Sequence, residues 1–274
     1  MRIASWRMFF CMFAATTLLH PAPPDRIQAT AAAAEKVRQE NPGRQYKASP
    51  DALLARVEGT VYGENPREGF VEGNRFCHPD LRFQFDFPQG WKVQNTKSAV
   101  AIMEPGGSAM VQMTLVPPKE GQTPEAVGST VARQEGVQFI EGAPLIINGN
   151  TAYLGRYRMQ AEADTVEVMA AFIAYGKNMY QLAGMAAPSA YSSFARSFDS
   201  TIRGFRELTD TRVLSVQPDR PRIYRARKGE TLRGIVKSQP QSRTTLEDIA
   251  LLNRLDSDQA LDAGAPVKLI RSGR

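Results

Sequence analysis

LRFQFDF, residues 81–87, alternates apolar and polar side chains at every position. Leu81, Phe83, Phe85 and Phe87 fall on one side of an extended chain, and Arg82, Gln84 and Asp86 on the other. A helix would scatter those four apolar residues around its circumference, whereas a strand lines them up on one face. The pattern predicts a half-buried antiparallel strand, one face on a core and the other in water. Pro88-Gln-Gly90 closes it as a turn, and Trp91-Lys-Val93 restarts the chain.

Further strands are predicted on either side of hairpin signals. Ala99–Met103, Ala109–Val116 and Leu145–Ile147 are rich in β-branched and apolar residues. Asn148-Gly-Asn150 joins the last of these to Thr151–Met159, because Asn and Gly accept the positive φ that a two-residue hairpin needs. Gly176-Lys-Asn178 does the same between Thr165–Tyr175 and Met179–Met185. Two helices interrupt the strands. Pro124 suits the first turn of Pro124–Gln134, where its missing N–H is not needed. In Ser189–Phe205, the residues Phe194, Phe198, Ile202 and Phe205 form one apolar stripe, which reads as core. The fold class expected over residues 76–208 is α+β: an antiparallel sheet of about six strands with helices packed on one face.

The flanks read differently. The chain has 274 residues, a net charge of +6 and a hydrophobic fraction of 42%, enough for one large or two modest domains without disulfide staples. Arg2 and Arg7 precede an apolar run from Met8 to Leu19, the length of a signal-peptide core and short for a membrane span. Residues 1–34 are therefore expected to be a signal peptide or N-terminal anchor, with a small-residue cut site near Ala31–Ala34. The location implied is periplasmic or secreted. Residues 35–75 read as tether and connector, with a short helix at Pro50–Val57. Residues 209–221 form a linker ending in LSVQPDRP. Residues 222–272 form a small β-α-α-β unit. Its parts are a strand at Ile223–Arg227, a turn at Lys228-Gly-Glu-Thr231, a helix at Leu232–Lys237 and a closing strand at Val267–Ile270. A capping box at Thr244-Thr-Leu-Glu247 opens its second helix, which runs to Asn253.

Catalytic chemistry is hard to assemble from this inventory. The histidines are His20 and His78, the cysteines Cys11 and Cys77. A zinc-protease helix needs two histidines on one face around a glutamate, and none exists. Cys77 and His78 are adjacent on an extended chain and point to opposite faces, so they make a poor nucleophile–base pair. His78 is expected to bond to backbone. There is no phosphate-binding loop and no dinucleotide fingerprint. No cofactor, metal or catalysis is expected. The basic excess after Thr209 suits an anionic surface, but no nucleic-acid-binding motif accompanies it, so no nucleic acid partner is expected.

Two segments carry a family resemblance. VEGTVYGENPREGFVEGNRFCHPDLRFQFDFPQGWKVQNT, residues 57–96, resembles the region that follows the protease and tetratricopeptide parts of periplasmic BepA-like zinc metalloproteases. A weaker similarity continues through FARSFDSTIRGFREL, residues 194–208. The resemblance implies a PsbP-like accessory domain over 76–208, present without the protease. YRARKGETL and LEDIALLNRLDSDQALDAGAPVKLI, residues 224–232 and 246–270, resemble a LysM domain, with Gly229, Thr231, Leu232, Asn253, Leu255, Gly264 and Val267 matching its pattern. That resemblance implies a shallow groove for N-acetylglucosamine polymers lined by Gly229, Glu230, Thr231, Leu232, Arg254, Leu255 and Asp256. Glu230 replaces the usual Asp, and no aromatic residue follows Tyr224. Binding would rest on backbone polar groups and aliphatic walls, and is expected to be weak. Asn253 is expected to tolerate a left-handed backbone and satisfy carbonyls at the helix end.

Together these features imply an exported, non-enzymatic cell-envelope adaptor. Its LysM-like tail would contact peptidoglycan or another cell-wall glycan. Its sheet domain would contact a protein partner such as a periplasmic protease or an outer-membrane assembly factor. The alternative is the C-terminal fragment, or a split subunit, of a periplasmic zinc metalloprotease.

Overall fold

The computed structural model describes residues 23–42, 50–117, 119, 121–161, 164–239 and 244–273. Residues 1–22 of the predicted signal segment 1–34, with Cys11 and His20, lie outside them. The chain divides into two units, 1–55 and 56–274. In the first, helix α1 (Pro23–Glu40) spans the alanine-rich stretch, including residues 31–34, and Glu35–Arg38 and Lys36–Glu40 pair along it. Helix α2 follows at Pro50–Val57. No helix among the described residues is long and apolar enough to cross a membrane.

The rest of the chain carries β1 (Phe70–Glu72), β2 (Arg75–His78), β3 (Phe83–Asp86), β4 (Lys92–Asn95), β5 (Ala99–Met103), β6 (Ala109–Val116), helix α3 (Pro124–Ala132), β7 (Val137–Ile147), β8 (Asn150–Ala161), β9 (Asp164–Tyr175), β10 (Asn178–Ala186), helix α4 (Pro188–Arg203) and β11 (Arg206–Glu207). A seven-stranded antiparallel sheet runs β4-β5-β6-β10-β9-β8-β7, and a separate four-stranded sheet runs β1-β2-β3-β11. The fold is thus α+β, but the strand predicted from LRFQFDF belongs to the smaller sheet. Period-two patterning fixes which face a strand buries, not which strands it pairs with. Strand β1 lies inside the stretch read as connector. Even the polar side of β3 is covered: Gln84 is buried and donates to the Glu207 carbonyl at 3.1 Å.

Helix α4 holds the main core. Phe198 and Ile202, both fully buried, share one core with Ala171, Ile173 and Leu182 of the large sheet and Phe76, Phe83 and Phe85 of the small sheet. Burying each such side chain contributes about 1.5–3 kcal/mol. Gly184 of β10 makes the approach possible, because a Cβ there would overlap the Phe198 ring. The expectation that helices share one face is corrected. Tyr153, Phe172 and Ala183 alternate with the residues under α4, so they point the opposite way, yet they are buried too. Helix α3 lies over this face of β8 and β9, with Gly128 against the Tyr153 ring and its carbonyl accepting from Tyr157 Oη at 3.3 Å. The near-continuous apolar run VMAAFIAY in β9 carries this signal, since a strand buried on both faces does not alternate.

The β7–β8 hairpin turns through Asn148 (φ 45°) and Gly149 (φ 85°), as its sequence requires. The tight turn makes Ile147 and Asn150 a bonded pair, which sends Pro144 to the outer edge of β7 with no N–H to offer another strand.

After helix α5 (Thr211–Leu214), a formed turn within the predicted linker, come β12 (Arg220–Arg225), α6 (Leu232–Ser238), α7 (Leu246–Asn253) and β13 (Pro266–Arg271). The capping box sits one residue later than predicted: Thr245 accepts from Asp248 N–H at 3.1 Å and Asp248 answers the Thr245 N–H. Strands β12 and β13 pair antiparallel. Residues 58–62 run along the other edge of β12. Gly59 N–H donates to the Pro221 carbonyl at 2.9 Å, Tyr62 N–H to Asp219 at 2.8 Å, and Ile223 N–H to Glu58 Oε1 at 3.2 Å. The Tyr62 ring packs on the small core of this unit. A little further on, Arg67 donates to the Leu214 carbonyl at 3.0 Å and pairs with Asp80.

Candidate functional site

The C-terminal unit is too small to fix its loops by core packing alone; its buried set among the described residues is eight side chains, Leu232, Ile235, Ile249 and Val267 among them. Backbone hydrogen bonds do the rest. Gly229, at φ 82°, turns the loop after β12, and its N–H donates to the Leu261 carbonyl at 2.9 Å. Leu261 N–H donates back to Glu230 at 2.8 Å, and Arg233 N–H to Ser257 at 3.0 Å. The loop before α6 and the loop after α7 are therefore zipped side by side. Thr231 caps α6 by accepting from Gly234 N–H at 3.2 Å. Arg254 ends α7 in the left-handed region (φ 56°), and Asp256 Oδ1 accepts from Asp258 N–H at 2.8 Å to shape the second loop.

The predicted groove residues divide. Gly229, Arg254 and Asp256 are exposed; Thr231 and Leu255 are half-buried beside them. Leu232 is fully buried and belongs to the core, not to a groove, because it opens the apolar face of α6. Glu230 is turned away: its carboxylate accepts from Arg227 N–H at 2.7 Å and from Tyr224 Oη at 3.1 Å. Asn253 is structural by a different route from the one expected. The left-handed residue is Arg254, while the Asn253 amide donates to the Lys268 carbonyl on β13 at 2.8 Å, accepts from the Lys268 backbone N–H at 2.7 Å, and donates to the Ile249 carbonyl. Sequence reasoning misses the exposed Arg233–Asp258 pair, bidentate at 2.7 and 2.9 Å, which ties α6 to the second loop. Opposite charges twenty-five positions apart leave no local pattern to read. The site offers backbone polar groups, the Arg254 guanidinium, the Asp256 carboxylate and the aliphatic side chain of Leu255. These groups can make reversible hydrogen bonds to a polar ligand.

Cys77 and His78 do not form a site together. Cys77 packs on Leu208 and Val213, while His78 lies against the Phe83 ring at 5.2 Å. His78 Nδ1 accepts from Leu81 N–H at 3.2 Å, and burial lowers its pKa. Burial pushes the Cys77 thiol up to about 11. In a Cys11→Ser chain at pH 8, Cys77 should react with a disulfide reagent at least ~100-fold more slowly folded than in urea, measured by thiolate release. A rate within a few-fold of the unfolded one would show that the thiol is accessible. Among the described residues, no three His, Cys, Asp or Glu side chains gather as a metal site.

A second charged cluster is enclosed in the sheet. Glu167 on β9, 2% exposed, accepts from Arg156 Nε at 2.7 Å and from Arg158 at 3.1 Å. The Arg156 guanidinium lies 4.7 Å from the Tyr191 ring centre, so α4 lids the cluster. Burial raises the Glu167 pKa, but the two arginine bonds outweigh it and hold the carboxyl below the usual range.

Residues 224–269 match the LysM domain family. No curated protein sequence matches the chain. Among solved structures, the chain is similar to cyanobacterial PsbP (CyanoP) of Synechocystis, with 16% identity and a TM-score of 0.40 over 54% of this chain and 98% of that one. It is also similar to LpqN of Mycobacterium tuberculosis, involved in cell envelope biogenesis, with 8% identity and a TM-score of 0.34 over 46% of this chain and 83% of that one.

Proposed function

We propose that this chain is a non-enzymatic cell-envelope protein, periplasmic or secreted, whose LysM domain holds an N-acetylglucosamine polymer of the peptidoglycan type. The observation that supports it is the LysM domain at residues 224–269 with its two loops zipped beside each other and exposed at Gly229, Arg254 and Asp256. Binding is weak, since no aromatic residue follows Tyr224 in the sequence and Glu230 is occupied internally. A pull-down on purified peptidoglycan compares the full chain with one ending at Pro218. The full chain should be retained in excess, and equal retention of both would end this reading.

Arg254→Gly separates binding from folding. Glycine takes the left-handed backbone without strain, so stability to urea should hold or rise by up to about 1 kcal/mol. Loss of the guanidinium should weaken peptidoglycan binding about 3- to 10-fold in a pelleting isotherm. The sheet domain is the half we assign to a protein partner, a periplasmic protease or an outer-membrane assembly factor. The resemblance of residues 57–96 to such a protease's accessory region supports that assignment. Crosslinking of the tagged chain in intact envelopes should retrieve such a protein, and recovery of glycan alone would refute it.

A further inference from the structure

The sheet domain carries a second recess that none of the preceding chemistry uses. It opens between the β1–β2 turn and the Pro88–Trp91 turn, encloses about 610 Å³, and is lined by Val71, Asn74, Phe87, Gln89, Trp91 and Val93 with Gly73 and Gly90. No lining residue is charged, although 23% of the chain is. A recess of this size falls within the range of ordinary small-ligand sites.

Its parts are held in place from behind. Trp91 is half-buried, its ring set at 74° to the Phe194 ring of α4 at a centroid distance of 6.0 Å. The Asn74 side chain donates to the Phe87 carbonyl at 3.1 Å, and the Phe87 N–H donates to the Asn74 carbonyl at 2.9 Å. This fixes the Asn74 amide and leaves its oxygen to accept. Gln89 is exposed at the crest of the opposite turn, where Gly90 at φ 85° shapes the chain. Both glycines have open space where a Cβ would stand, so the mouth is wide. The recess therefore presents one anchored indole, two carboxamides and no charge.

We infer that this recess binds a neutral saccharide, with a sugar face packed on Trp91 and its hydroxyl or acetamido groups bonded by Asn74 and Gln89. An indole is apolar on its face and polar at its N–H, which matches the apolar C–H face and polar rim of a pyranose. Carboxamides both donate and accept without favouring a charged ligand. The absence of lining charge argues against anionic lipid or nucleic acid. The inference extends the glycan reading of the LysM domain, and rests on it only for the choice of an N-acetylated sugar. It supplies on the sheet domain the aromatic platform that the C-terminal groove lacks.

The test is titration of the ¹⁵N-labelled full chain with chitotetraose, a neutral tetramer of N-acetylglucosamine, followed by ¹H–¹⁵N correlation spectra. Shifts at the Trp91 indole N–H and the Gln89 side-chain amide are expected. Trp91→Ala should weaken binding at the recess about 10-fold, and the exposed Gln89→Ala about 3-fold with folding intact, while shifts at the Gly229 and Asp256 amides persist. Shifts confined to the 229–231 and 254–256 amides would overturn the recess and leave the LysM reading standing. Shifts confined to the recess would do the reverse. Silence at both would overturn both.

Discussion

Gly184→Ala should lower stability by about 2–3 kcal/mol and the melting temperature by roughly 4–12 °C, although alanine is ordinarily the better residue in a strand. The added methyl group would overlap the Phe198 ring and its Cβ. Phe198 cannot retreat, because Tyr191 and Phe194 contact it on its own helix and it is fully buried between two sheets. The clash moves the whole helix, and with it the seal between the large sheet and the small one. Calorimetry on the full chain measures the loss. Pairing the change with Phe198→Ala identifies the cause: the double variant should be more stable than the sum of the single losses predicts, by about 1 kcal/mol or more. Strict additivity would mean that the two residues do not meet.

The second large effect is at Glu167. Replacing it with glutamine removes the negative charge that two arginines were folded around. Breaking a buried ion pair costs about 3–5 kcal/mol when the remaining charge stays buried. Arg156 and Arg158 are 36% and 44% exposed and recover some hydration, so about 2 kcal/mol is expected at pH 7. The pH dependence has a definite sign. The folded pKa of Glu167 lies below its ordinary value of 4.5, so its contribution is complete above that value and is lost as pH falls through the folded pKa. The gap between the parent chain and Glu167→Gln should therefore be constant from neutral pH to about pH 5 and shrink below it. Urea melts at a series of pH values give the curve; a gap that widens in acid would contradict the assignment.

These two positions show what a linear reading can and cannot recover. The Asn148-Gly149 hairpin, the Phe194–Phe198–Ile202 stripe and the bounds of β5 and β6 follow from local chemistry, and the folded chain keeps them. Glu167 is invisible by the same method. On a strand it reads as one more residue of a wet face, yet it shares its face with Ala171 and Ile173, and only the register of β8 against β9 brings Arg158 directly opposite. The capping box shifts by one residue because Thr244 and Thr245 compete on equal terms, and the backbone chooses Thr245 with Asp248. In the candidate groove, the glycine turn and the exposed loop after α7 were legible. Leu232 and Glu230 were not, because a family pattern marks positions without saying which way a side chain turns.

The backbone bonds from Gly59 and Tyr62 to the outer edge of β12 have a mechanical meaning. A C-terminal anchor joined by one linker would pass any pull on it through residues 209–219 alone. Here tension on the LysM domain is shared with a second strand of chain that enters before the sheet domain, and two backbone bonds with the Tyr62 ring resist it in shear. A pull on the C-terminal unit would thus reach the sheet domain by two strands of chain rather than through the linker alone.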